Sequence, residues 1–287
     1  MASFSVHFDG PIATEHRVSV RVMAKTYEHM QRAIDRAYLI SVYGSVWKHA
    51  RLTQEQYEET EFIAEWPREG GIILDAIRDG AQGVIDLVAT AIAPIFADSM
   101  EASIQQADSI VQQIGQRKQY VNKMAGFTPT FESVAAEPPA EWASRYSNRS
   151  VVKEIDQLIS QITIERYAGS TVAIDLYGSK TYGVFAFDEH RAKQFHLRAS
   201  LRELGAPMII DAKIRSLDSG NKFAKPRAKI QNQATGREVS LILEGEADFI
   251  ILHPHHTATS VKLFVSPIIE AGGFDLQGGD LLFLGLA

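Results

Sequence analysis

The stretch MIIDAKIRSLDSGNKFAKPRAKIQNQATGREVSLIL, residues 208–243, decides the fold class. Apolar and polar residues alternate in three runs, 208–217, 224–232 and 238–243, and the turn segments 218–221 and 234–236 separate these runs. A period of two predicts half-buried strands. Two later runs, 261–269 and 281–286, continue the pattern. Several short strands with small turns predict an antiparallel sheet that closes into a small barrel.

The N-terminal half predicts a sheet packed against helices. Residues 4–8 and 18–22 alternate like strands, and 61–66 with 71–77 resemble a hairpin. Helical spacing runs from Met23 to Gly44, and two further helical stretches, 81–97 and 98–123, predict a helical hairpin. The fold class is therefore α+β. We expect an N-terminal domain with a sheet, a packed helix and the hairpin at 1–126, a Pro-rich linker at 127–148, and a β-rich barrel-like domain at 149–287.

Composition excludes several classes of site. The 287 residues contain no cysteine, which rules out disulfides, thiolate metal sites and a cysteine nucleophile. The sequence has no P-loop, no dinucleotide-binding glycine motif and no G-x-S-x-G nucleophile motif. The start MASFSVHFDG lacks the pattern of a signal peptide, and the most apolar window, 83–97, is shorter than a membrane span. We expect a cytoplasmic protein with no membrane contact and no cofactor.

The formal net charge of −6 hides a strong asymmetry. Residues 53–108 contain twelve acidic and two basic side chains, a net charge of −10. Residues 211–237 contain seven basic and two acidic side chains, a net charge of +5. Such separation steers charged partners or lets two copies attract each other, although two ordinary solvated faces would give the same counts.

The apolar segment GVIDLVATAIAPIFA, residues 83–97, predicts a buried core helix or an oligomer interface, with a helix that inserts into a membrane as the alternative. Together with the absence of catalytic motifs, it leads to our first hypothesis. We expect a non-catalytic, homo-oligomerising binding protein of a prokaryotic or phage cytosol. A different protein is also a possible partner. The interface would consist of Val84, Leu87, Val88, Ile92, Ile95 and Phe96.

The basic strands offer a second hypothesis, a nucleic-acid or nucleotide-binding module. Lys225, Arg227 and Lys229 alternate and would line one face of a strand, where cations follow phosphates and aromatic rings stack on bases. Lys222 and Phe223 complete this candidate site. Only one aromatic residue occurs among the cations, whereas stacking platforms use several, so a partner-binding or structural surface remains the alternative.

A third hypothesis is a metal-dependent hydrolase. His253, His255 and His256 form the most ligand-like cluster, and in an extended segment the first two would project to one side. Asp248 or Glu246 would supply a carboxylate. Separately, Glu59, Glu61, Glu65 and Asp75 of the acidic hairpin could bind Mg²⁺ or act as an acid/base pair. A polar loop and a solvated face explain the same residues without a metal, so the sequence favours a protein that is not an enzyme.

Overall fold

The computed structural model describes residues 2–65, 72–99, 110–123, 128–139, 141–178, 182–221 and 224–287. Contacts divide the chain into two units, and each unit is built from separate segments. Unit 1 contains Met1–Val46, Ala50–Ile104 and Ser147–Leu201. Unit 2 contains Trp47–His49, Gln105–Tyr146 and Arg202–Ala287.

Strands and helices follow one another in a mixed order along the described chain. In chain order the elements are β1 (Ala2–Asp9), α1 (Val20–Tyr43), α2 (Gln54–Thr60), β2 (Ile63–Ala64), β3 (Ile72–Arg78), α3 (Gln82–Asp98), α4 (Ile110–Lys123), α5 (Phe131–Ala136), α6 (Trp142–Ile159), β4 (Thr171–Tyr177), β5 (Tyr182–Phe187), α7 (Glu189–Ala199), β6 (Arg202–Leu204), β7 (Met208–Asp218), β8 (Arg227–Asn232), β9 (Glu238–Ile242), α8 (Glu246–Leu252), β10 (Val261–Glu270) and β11 (Leu281–Leu286). Within the described residues, none of these helices combines the length and the apolar character that crossing a membrane requires.

Unit 1 is built around an antiparallel sheet with the strand order β2-β3-β1-β4-β5. The central strand β1 buries Phe4, Val6 and Phe8, as their alternation predicted. These side chains belong to a core that also contains the apolar faces of α1, α3 and α7. Residues 171–177 and 182–187 form the antiparallel hairpin of β4 and β5. Because β4 pairs with β1, this hairpin lies in the N-terminal sheet, although its residues fall within the stretch 149–287 that was expected to form the C-terminal domain.

One local prediction in unit 1 is wrong. Residues 18–22 were expected to form a strand, but α1 begins at Val20, because the Ser19 side chain accepts a hydrogen bond from the Val22 N–H at 3.2 Å and caps the helix. The expected linker contains α5, which starts beyond the Thr130 cap and buries Phe131, and α6 begins at Trp142. The predicted domain boundaries stay a prediction, as does the hairpin of α3 with α4, since residues 100–109 lie outside the described part of the chain.

Unit 2 contains a closed five-stranded barrel, which confirms the predicted architecture. Neighbouring strands pair in the order β11-β9-β8-β7-β10, and β10 pairs with β11 to close the barrel. All pairs are antiparallel except β9 with β11, so the expectation of a purely antiparallel sheet is wrong at that position. The interior is filled by alternate apolar residues such as Ile210, Ile230 and Phe283. This strand order, with α8 between the third and fourth barrel strands, is that of the OB-fold, a five-stranded Greek-key barrel.

Candidate nucleic-acid interface

The outward face of β7 and β8 carries a group of exposed cations. Along β8, Arg227 and Lys229 are exposed while Ala228 and Ile230 point into the barrel. On the neighbouring strand β7, Arg215 follows buried Ile214 and is exposed as well, at the register shift between Ile214 and Ser216. The alternation predicted from sequence therefore does place Arg227 and Lys229 side by side on the surface.

Each of the two cations of β8 bonds a carboxylate on a neighbouring strand: the partner of Arg227 lies on β7 and the partner of Lys229 lies on β9. The Arg227 Nε donates to Asp218 Oδ2 at 3.3 Å, and the Lys229 Nζ donates to Glu238 Oε1 at 2.9 Å. A backbone hydrogen bond from Gly220, and then Arg227, hold the pKa of Asp218 below its ordinary value. The hydrogen bond from Lys229 and the nearby charges of Arg215 and His49 likewise lower the pKa of Glu238. Several positive groups thus converge on one exposed carboxylate.

The loop between β7 and β8 adds one further cation, which shares a groove with the carboxylates of Glu244 and Glu246. Lys225 is exposed and lines an open groove of about 600 Å³ together with residues of α8 and the segment before it. Gly220 has φ +75°, and a Cβ there would lie 2.3 Å from the Ala224 carbonyl oxygen, so only glycine fits this turn. The predicted ligands Lys222 and Phe223 lie outside the described residues.

A second, smaller pocket adjoins the same face. It has a volume of about 360 Å³ and is lined by Trp47, His49, Lys229, Arg237, Glu238, Asp275, Gln277 and Gly278. The sequence analysis missed Trp47, His49, Arg237 and Gln277. Trp47 and His49 lie about 180 residues before Lys229, and no local pattern connects them with the barrel strands. Trp47 is an aromatic residue beside the cations, where the basic segment itself has only Phe223.

The histidine cluster does not form the extended segment that the sequence predicted. His253 and His255 lie in a 3-10 helix, His253–His255, directly after α8, and His256 follows it. Pro254 lies in the first turn, where its missing N–H costs nothing. Both oxygens of Asp248 are used, Oδ1 by Lys118 Nζ at 3.0 Å and Oδ2 by the Glu244 N–H at 2.8 Å.

The described residues contain no group of three or more His, Asp or Glu side chains that would hold a metal ion. Of the acidic residues, Glu59 lies in α2 and accepts a hydrogen bond from the Tyr38 hydroxyl, while Asp75 is buried in β3. Metal binding at His253, His255, His256 and Asp248 stays a prediction.

The apolar residues of α3 pack inside unit 1. Val88 and Ile92 are fully buried, and Val84, Leu87, Ile95 and Phe96 are partly buried against the same core. The Phe96 ring meets Phe185 and Phe187 edge to face, with centroids 5.2 and 5.1 Å apart. Intramolecular packing thus accounts for the apolar composition of the helix, and an oligomer interface at these residues stays a prediction.

Comparison with known proteins does not assign the chain to a family. No protein-family model matches the chain, and no curated protein matches it either. A small barrel shows the fold alone, because one fold supports many functions. The function therefore has to be argued from the side chains of the site.

Proposed function

We propose that this chain is a binding protein whose unit 2 barrel holds a single-stranded nucleic acid on the outward face of β7 and β8. The observation that carries the proposal is the set of exposed cations Arg215, Arg227 and Lys229 on two adjacent strands. Two positions along a strand span about 7 Å, so Arg227 and Lys229 can each reach a separate phosphate of an extended chain.

The ion pairs of this face support exchange with a polyanion. Exposed pairs such as Lys229 with Glu238 contribute little to stability, because water screens both groups. A phosphate can therefore replace either carboxylate at small cost. Each phosphate that a cation neutralises releases counterions from the nucleic acid, which favours binding at low salt.

The neighbouring groups favour a single strand over a duplex. In OB-folds, the face of the second and third strands and the adjoining loops bind oligonucleotides or oligosaccharides. In this barrel those strands are β8 and β9, so β8 with Arg227 and Lys229 belongs to that face. Trp47 lies beside Lys229 in the adjoining pocket, and aromatic side chains stack on bases that are free of a partner strand. The absence of cysteine fits a reducing compartment, and we propose a cytoplasmic location.

The test is fluorescence anisotropy of a labelled oligothymidine titrated with the full chain at increasing salt. With three cation–phosphate contacts, log K should fall with log salt with a slope of about 2. We expect Lys229→Glu together with Arg227→Glu to weaken binding by at least about tenfold at low salt. The matched control is Lys193→Glu, since Lys193 is also an exposed lysine bonded to a glutamate, Glu189.

No binding of the oligonucleotide at low salt would overturn the proposal. So would an equal loss of affinity in Lys193→Glu, because that result would mean a non-specific effect of charge. Circular dichroism of each variant checks that the fold is kept.

A further inference from the structure

We infer that the pocket of Trp47, His49, Arg237 and Gln277 binds one nucleotide, with the base on Trp47 and the phosphate between Lys229 and Arg237. The inference deepens the proposed function and rests on it, because it assigns a nucleotide subsite next to the basic strands. Lys229 lies on both surfaces and would link the subsite to the path of the strand.

Lys48, the residue between Trp47 and His49 in the sequence, fixes this segment in unit 2 by two hydrogen bonds. The Lys48 backbone N–H donates to Asp275 Oδ2 at 2.8 Å, and the Lys48 Nζ bonds Asp280 Oδ1 at 2.5 Å. Both acids belong to the loop between β10 and β11. Trp47 and His49 are therefore held at the pocket before a ligand arrives, which lowers the entropic cost of binding.

The same loop positions an amide that can read a base. Asp275 is buried, and its Oδ1 accepts a hydrogen bond from the Gln277 N–H at 2.9 Å, which fixes the turn. Gly279 packs so closely that an added Cβ would lie 2.4 Å from the Phe274 ring. The Gln277 side chain is exposed at the pocket and offers both a donor and an acceptor to a base edge.

The charges and the size of the pocket fit one nucleotide. Lys229, Arg237 and His49 face the pocket, and Asp275 directs both of its oxygens to backbone N–H groups of Lys48 and Gln277. Glu238 is therefore the acid that a bound phosphate would replace as the partner of Lys229. A volume of about 360 Å³ lies at the small end of ligand pockets, so the site suits a single base and its phosphate.

The experiment is isothermal titration of the full chain with adenosine 5′-monophosphate, uridine 5′-monophosphate and inorganic phosphate. We expect at least one mononucleotide to bind more tightly than phosphate, because stacking adds to the ionic contact. Trp47→Ala should weaken that binding by about tenfold or more, and Trp47→Phe, which keeps a ring, should restore most of it. Arg237→Gln should weaken the mononucleotide and phosphate alike.

Oligothymidine binding, measured in parallel, separates the two proposals. If the oligonucleotide binds but neither mononucleotide does at millimolar concentration, the subsite is refuted and the proposed function stands. If neither ligand binds, both are refuted. If phosphate binds as tightly as the mononucleotides, or Trp47→Ala leaves their affinity unchanged while its unfolding transition matches the wild type, base stacking in the pocket is refuted.

Discussion

The replacement Ile92→Ala distinguishes a core helix from an oligomer interface at α3. Ile92 is fully buried among core residues of unit 1, with Val88 one turn away and equally buried. Truncating a buried isoleucine to alanine costs about 2–5 kcal/mol of unfolding free energy, because apolar surface is lost and a cavity remains. We expect this cost in the single chain, independent of any assembly.

The assay is urea unfolding followed by circular dichroism at two protein concentrations about 50-fold apart, with native mass from light scattering. If the helix is a core element, the loss of about 2–5 kcal/mol is the same at both concentrations and the mass is unchanged. Ile63→Ala is the control, since Ile63 is 70% exposed, and it should cost less than about 1 kcal/mol. The reasoning is refuted if Ile92→Ala leaves the unfolding free energy unchanged and reduces the native mass.

Two further predictions concern carboxylates. Glu238→Gln removes the anion bonded to Lys229 and should raise oligonucleotide affinity at low salt by about two- to fivefold. Fluorescence anisotropy measures this affinity. Weaker binding would mean that Glu238 itself contacts the ligand. Burial raises the pKa of Asp156 above its ordinary value of 3.8, and the hydrogen bond with His196 only partly opposes the rise. The folded chain then keeps this proton to higher pH than the unfolded chain, so the contribution of Asp156 to stability falls as pH rises from 3.8 through the folded pKa. Asp156→Asn should flatten that part of the stability profile in urea unfolding between pH 3.5 and 7, and an unchanged profile would contradict the assignment.

The strands with strict alternation could be predicted from the sequence. In β1 every second residue is apolar and buried, and in β8 Ala228 and Ile230 follow the same alternation. A one-residue error of register would expose the whole apolar set. The same pattern placed Arg227 and Lys229 on one outward face. Their partners Asp218 and Glu238 lie only nine residues away along each hairpin, so short turns bring them together.

Other features depend on interactions that the pattern does not contain. Val18, Val20 and Val22 alternate like a strand, but they also fit the start of a helix, and the Ser19 cap decides between the two. The parallel pairing of β9 with β11 joins segments about 40 residues apart and depends on barrel closure. Trp47 and His49 reach unit 2 through hydrogen bonds of Lys48, which no spacing rule predicts.

The net charge of −6 does not argue against a polyanionic ligand. At physiological salt the Debye length is about 8 Å, so a phosphate on β8 responds mainly to the charged groups within that distance. The acid-rich stretch 53–108 falls mainly in the unit 1 segment Ala50–Ile104, whereas the basic stretch 211–237 belongs to unit 2. Within that basic stretch and its edge, Asp218 and Glu238 are already engaged with the cations that a phosphate would contact. Affinity is therefore set by the three cations Arg215, Arg227 and Lys229, two of which exchange a carboxylate for a phosphate. The salt dependence should follow the number of cations that contact phosphates rather than the charge of the whole chain.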